Sequence, residues 1–290
     1  MIHKESERVP NDIAIERLRQ FHHLSAIIDE KWLQTQLKKC VEKYSLITGW
    51  LTTPEEEWKA FFHPLVNALD QALDVLKGKV SPNTWKKITH KIRAASDRAE
   101  TKGTLAEISM AVFLTKHGIQ FEMEKQLDPC SKKDVDFSIT YEGEEIHIEM
   151  QWLSESKRSR VPSDIALEFS PFETQIDFPY EKRRIRNKIK DKCPKFTQED
   201  ITLVALDCTE VPELGGKYPS AVYDALRDIF HKKESLDDTS TQIRSLVDGV
   251  IWFKLDINNA LCPQKRGYIS NPHRDNQSLS NWLDLWGQES

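Results

Sequence analysis

The chain is poor in glycine, has no paired cysteines and shows no excess of positive charge. Ten glycines in 290 residues leave few loops that could cradle a phosphate, and the densest, "LGGKY", lacks the spacing of a phosphate-binding loop. The five cysteines (Cys40, Cys130, Cys193, Cys208 and Cys262) are scattered, odd in number and form no CxxC pair. That argues for a reducing compartment and against a disulfide framework or a structural zinc site. No apolar run approaches membrane-spanning length, and the charged start "MIHKESERVP" lacks the apolar core of a signal peptide. A cytoplasmic protein with no membrane partner is therefore the expectation. Forty-six acidic residues outnumber 41 basic ones for a formal charge of −5, so any nucleic-acid surface must be local.

What is present divides the chain in two. Residues 11–50 carry apolar residues at three- and four-residue spacing with almost no breakers, which predicts helix. "TTPEEEW" reads as a helix start with Thr53 as cap, Pro54 in the first turn and Glu56 at the capping-box site. "SPNTWKKI" repeats the device with Ser81 and Pro82. Near residue 98 the pattern changes. One more helix, "AETKGTLAEISMAVFLTKHG", is ended by Gly118 and precedes three strand-like runs, "IQFEMEK", "DVDFSITY" and "EEIHIEMQWL". A basic helix, "YEKRRIRNKIKDKCPKF", follows. The buried strand "ITLVALDC", the helix "YPSAVYDALRDIFH" and the buried strand "DGVIWFKLDI" complete the order. The expectation is an all-helical domain over residues 1–97, then an α/β domain over 98–290 with a mixed sheet covered on both faces.

Within "SITYEGEEI", Glu142-Gly143 suits a two-residue hairpin turn, since glycine accepts positive φ. Tyr141 then pairs with Glu144, and Asp136 falls opposite Glu149, on one face with Asp134, His147 and Gln151. A three- or four-residue turn would shift this pairing. Opposed like charges destabilise a sheet unless something neutralises them, and a divalent cation with hard oxygen ligands would do so. The bland alternative is a solvated acidic face. Glu107 adds a third acid, on one helix face with Met110, Ala111, Leu114 and Gly118. It is either a ligand inside an apolar stripe or a carboxylate snorkelling from its edge.

Taken together these residues resemble the PD-(D/E)XK nuclease superfamily, with its restriction-endonuclease-like fold. The resemblance covers roughly residues 98–260. The helix glutamate and the glycine four residues before it match Glu107 and Gly103 in "GTLAE". The second-strand aspartate matches Asp136 in "DVDFSI", and the third-strand acid matches Glu149 in "IEMQ". The position usually held by lysine is Gln151, a departure from the family pattern. Lys157, or Lys188 and Lys192 on the following helix, could bring a basic residue from elsewhere. The resemblance implies a hydrolase, a Mg²⁺- (or Mn²⁺-) dependent endonuclease acting on DNA more than RNA, in restriction, defence or repair. Asp136 and Glu149 would hold the metal, with the Met150 carbonyl as a further ligand. Glu107 would serve a second metal or its water shell, and Gln151 would orient the attacking water or contact phosphate. The alternative is an inactive module on the same fold that binds nucleic acid or a protein partner.

Two basic segments suit phosphate-backbone contact. "SESKRSRVP" carries Lys157, Arg158 and Arg160. In "YEKRRIRNKIKDK", Arg183, Arg186 and Lys190 share a helix face while Ile185 and Ile189 mark the buried one. A solvated charged face is the bland reading of both. His147 reads as a surface polar residue and His273 as a loop residue without metal-ligand spacing. Asp207 ends a buried strand, where it contacts a ligand or caps the next turn. The N-terminal helices are expected to serve substrate, partner or homodimer contacts, their aromatic residues forming core.

Overall fold

In the computed structural model the described residues are 8–39, 44–127, 134–153, 178–209, 220–232, 237–274 and 276–288. They form two compact units. One comprises residues 1–120 and 255–263, the other residues 121–254 and 264–290. No helix among the described residues is long and apolar enough to cross a membrane.

The first unit is helical. Its elements are α1 (Asn11–Arg19), α2 (His22–Ile27), α3 (Glu30–Leu37), α4 (Leu46–Leu51), the single turn α5 (Glu55–Glu57), a π-helical turn (Trp58–Phe62), α6 (His63–Leu76), α7 (Pro82–Ala94) and α8 (Arg98–Lys116). The helical periodicity of residues 11–50 thus resolves into several short helices. Caps set the breaks: Asp29, Ser45, Ser81 and Asp97 each accept a backbone N–H from the first turn of the helix they precede. Asp70 caps α2 from a distance, accepting from the His23 and Leu24 N–H groups. The Ser81–Pro82 start forms as read. Thr53 does not cap α5, because its buried hydroxyl donates back to the Trp50 carbonyl at 2.7 Å and closes α4 instead. Arg17 ties these helices together. Its buried guanidinium donates to the Leu51 and Thr53 carbonyls, pairs with Glu55 at 2.6 Å and lies 4.7 Å from the Trp58 ring. Helix α8 stops at Gly118, whose φ of +68° lets the Ile119 N–H bond back to Leu114.

The second unit is a six-stranded mixed sheet with helices, in the order β1 (Phe121–Gln126), β2 (Asp134–Tyr141), β3 (Glu144–Trp152), β4 (Ile201–Asp207), β5 (Gly249–Leu255) and β6 (Pro263–Ser270). Strands β1 to β3 are antiparallel, while β3, β4 and β5 run parallel. Strand β4 is buried almost throughout, as its continuous apolar run required. One face packs on α9 (Phe178–Lys190), α10 (Ser220–His231) and α11 (Asp238–Leu246). Ile185 and Ile189 of α9, with Leu226 and Phe230 of α10, meet Val204 and Leu206 of β4 and Trp252 of β5 there. On β5 the next residue, Phe253, points to the opposite face and meets the Trp286 ring of α12 (Gln277–Gly287) edge-on at 5.8 Å. Sequence periodicity found neither β6 nor α11 and α12. Strand β6 opens on proline and carries Lys265 and Arg266, and α11 is mostly polar, so neither shows a clear apolar rhythm.

The β2–β3 turn is the two-residue hairpin expected, with Glu142 at φ +51° and Gly143 at φ +85°, and Tyr141 pairs with Glu144. Both central residues lie in the left-handed region, as a type I′ turn demands. Gly143→Ala should therefore lower unfolding stability by about 1 kcal/mol in urea titration, with the slope of the transition unchanged.

Candidate active site

The β2–β3 ladder runs from Tyr141↔Glu144 to Phe137↔Ile148, and one residue further side chains replace the backbone as partners. The Asp136 N–H donates to Glu149 Oε1 at 3.2 Å, and the Met150 N–H donates to Asp136 Oδ2 at 2.7 Å. Topology explains the exchange. From Ile146 onward β3 also pairs with β4, and beyond Ile148 only that pairing continues, to Trp152↔Asp207. An N–H released from one ladder needs another acceptor. The two carboxylates supply it at the point where the strands part.

Glu149 is fully buried and the Asp136 side chain is 18% exposed. Two ammonium groups neutralise them. Lys192 Nζ lies 3.0 Å from Glu149 Oε2 and 3.8 Å from Asp136 Oδ2. Lys195 Nζ lies 2.8 Å from Glu149 and also donates to the Asp134 carbonyl at 2.9 Å. Burial pushes the Glu149 carboxyl up and the Asp136 charge adds to that, while the two lysines pull it back.

The lysines reach the acids because of a short turn after α9. Cys193–Lys195 form one turn of 3-10 helix with Lys192 at its N-cap, and residues three apart on such a turn project to the same side. Cys193 and Phe196, both buried, anchor the turn in the core. Burial pushes the Cys193 thiol up to about 11, so it is an anchor and not a thiolate nucleophile at neutral pH. Of the basic residues considered from the sequence, Lys192 reaches the acids, Lys188 is half-buried on α9 and Lys157 lies outside the described residues. Lys195 was missed. Its signal was the pair of lysines three apart in "KCPK", each followed by an apolar anchor, but spacing alone does not aim such a turn at β3.

The remaining expected residues divide. Gln151 is half-buried and its Nε2 donates to the neighbouring Trp152 carbonyl at 2.8 Å, within its own strand. Glu107 belongs to the first unit, where its side chain is 12% exposed and pairs with Lys91 at 2.6 Å. It lines a hollow of about 310 Å³ with Lys91, Glu100, Gly103 and Thr104. On α9, Arg183 is exposed, whereas Arg186 pairs with Asp237 at 2.5 Å and Lys190 approaches Thr239 at 3.4 Å, both at the start of α11. Lys157, Arg158 and Arg160 lie outside the described residues. Asp207 caps its own turn, accepting from the Thr209 N–H and hydroxyl.

His147 is buried, contrary to its reading as a surface residue. Its Nδ1 lies 3.1 Å from the Ser138 hydroxyl, which is 2.5 Å from Glu145, and its Nε2 lies 3.8 Å from Asp200. The β3–β4 pairing accounts for this, since it sets His147 beside Thr202 in the sheet interior.

Mg²⁺ is usually held by one or two carboxylates, with water and substrate phosphate completing the shell. Asp136 and Glu149 are hard oxygen donors of that kind and already share a cation, the Lys192 ammonium. Among the described residues no group of three or more His, Cys, Asp or Glu side chains is placed to hold a metal ion. No family model matches the chain, and neither a curated protein nor a solved structure matches it. The class established is thus α/β, a six-stranded mixed sheet with helices, preceded by N-terminal helices.

Two outcomes follow from these surroundings. Burial holds the His147 imidazole below its ordinary 6.5, against Glu145 and Asp200, which raise it. The unfolded chain therefore binds the proton at higher pH than the folded one, and stability falls as pH drops through about 6.5. Denaturant titrations from pH 8 to 5 should show that loss in the wild type and a smaller one in His147→Gln. At Gly103, mid-helix in α8, an added Cβ meets nothing within 4 Å. Gly103→Ala should raise stability by about 0.5–1 kcal/mol, read as a higher melting temperature.

Proposed function

We propose that the protein is a Mg²⁺-dependent nuclease of restriction-endonuclease-like fold, hydrolysing phosphodiester bonds in DNA. The observation that carries this reading is the pair Asp136 and Glu149, facing each other where β2 and β3 separate, with two ammonium groups against them. The order of elements from α8 to β5 agrees with the resemblance drawn from the sequence.

In this reading Asp136 and Glu149 hold the cation. When bound, the metal polarises the phosphate and lowers the pKa of the attacking water. Lys192 and Lys195 supply the positive charge that Gln151, at the usual lysine position, does not carry. Either ammonium can stabilise charge developing on a phosphate oxygen, from elements fixed by the buried Cys193 and Phe196. The reading assigns no step to the Gln151 amide, whose Nε2 donates to Trp152. The reading rests on Asp136 and Glu149, and Glu107, paired with Lys91, is not needed for it.

A second reading is a module of this fold that binds nucleic acid or a protein partner without cleaving. It is favoured by the full burial of Glu149 beneath its lysines. Purified protein incubated with labelled linear, circular and single-stranded DNA, and with RNA, with and without Mg²⁺ or Mn²⁺, separates the two. Metal-dependent cleavage that falls about 100-fold or more in Asp136→Ala and Glu149→Gln supports the nuclease. Cleavage that survives both substitutions rules it out. Binding that weakens steeply with salt but never leads to cleavage supports the module.

A further inference from the structure

The two lysines at the acid pair are held differently, and the difference has a consequence. Lys195 is anchored twice, by Glu149 and by the Asp134 carbonyl. Lys192, the N-cap of the 3-10 turn, instead spans the two acids, 3.0 Å from one and 3.8 Å from the other. Its ammonium therefore reaches both carboxylates, and its side chain is 18% exposed. As it stands, two negative charges face two positive ones. Adding a divalent cation would set four positive charges against two negative ones within a few ångströms, an arrangement that repulsion between like charges disfavours. The lysine with the longer contacts, bridging the same two carboxylates the cation would take, is the one to yield.

We infer that Lys192 is a tethered competitor for the divalent cation: its bridging pose on Asp136 and Glu149 and the binding of the cation to those carboxylates exclude each other. The inference rests on the metal-dependent reading above and concerns how the same site is regulated. In the resting protein the ammonium, with that of Lys195, balances the charge of the acid pair without metal. Cation binding releases it, and a phosphate ester offers the released ammonium a new partner. Cation and ester thereby bind cooperatively, each favouring the state the other needs.

The test needs no catalysis. Mn²⁺ is titrated into wild type, Lys192→Gln and Lys192→Met without nucleic acid, and bound metal is read from the loss of the free Mn²⁺ resonance signal. Removing the competitor should tighten Mn²⁺ binding about tenfold or more. Equal or weaker binding in both variants would overturn the inference while leaving the metal site standing. Absence of Mn²⁺ binding in all three proteins would instead remove the metal reading itself, and the inference with it. The wild-type protein gives an independent measure through acetylation of its lysines, read by mass spectrometry. Labelling of Lys192 should rise severalfold on saturation with Mn²⁺ while that of Lys188 stays level, and an unchanged Lys192 under those conditions sinks the idea.

Discussion

The second unit is organised around one requirement, that a carboxylate buried at the centre of a sheet have partners for its charge and its lone pairs. Glu149 has no solvent to share them with. Its position is dictated by the strand change, because β3 parts from β2 at that residue while its pairing with β4 continues. The separation releases backbone N–H groups, and the Asp136 and Glu149 side chains accept them. Charge balance then requires cations, which the short turn after α9 delivers. Remove any one of these and the others are left with uncompensated buried polarity, which costs far more than a pair of this kind contributes. Electrostatics, strand topology and the path of the chain after α9 are thus one constraint.

A similar logic runs through the helical unit on a smaller scale. Arg17 sits buried among carbonyls left open where α4 ends, pairs with Glu55 and stacks on Trp58. Helix ends leave carbonyls without partners, and a guanidinium with five donors can satisfy several at once. Thr53 takes part in the same closure by donating to Trp50. A residue that looks like the start of one helix is in fact the finish of another.

The position of Gln151 looked, from the sequence, like the weakest point of a nuclease reading. Its surroundings alter the terms of that question. The glutamine is bonded within its own strand, and positive charge arrives from Lys192 and Lys195, 41 and 44 residues further along the chain by their numbers. A one-residue motif position matters less than whether a cation of the right reach is present, since charge acts through space and not through sequence order.

Much of the site was legible before the fold. The alternation in "EEIHIEMQWL" and the glycine at 143 were enough to place Asp136 against Glu149, because hairpin register follows from turn length. The buried strands β4 and β5 and the apolar stripe of α9 were legible for the same reason, as each is a local pattern. Local patterns did not reveal β6, whose proline and charged residues hide its period, nor that His147 is buried, which depends on β4 lying alongside. They also did not reveal that Lys195 reaches Glu149. The sequence by itself determined the register of the hairpin and the meeting of its two acids, since both follow from a two-residue turn and a period of two. Only the tertiary structure decided what neutralises those acids, because the lysines come from a turn whose direction is set by the burial of Cys193 and Phe196 in the core.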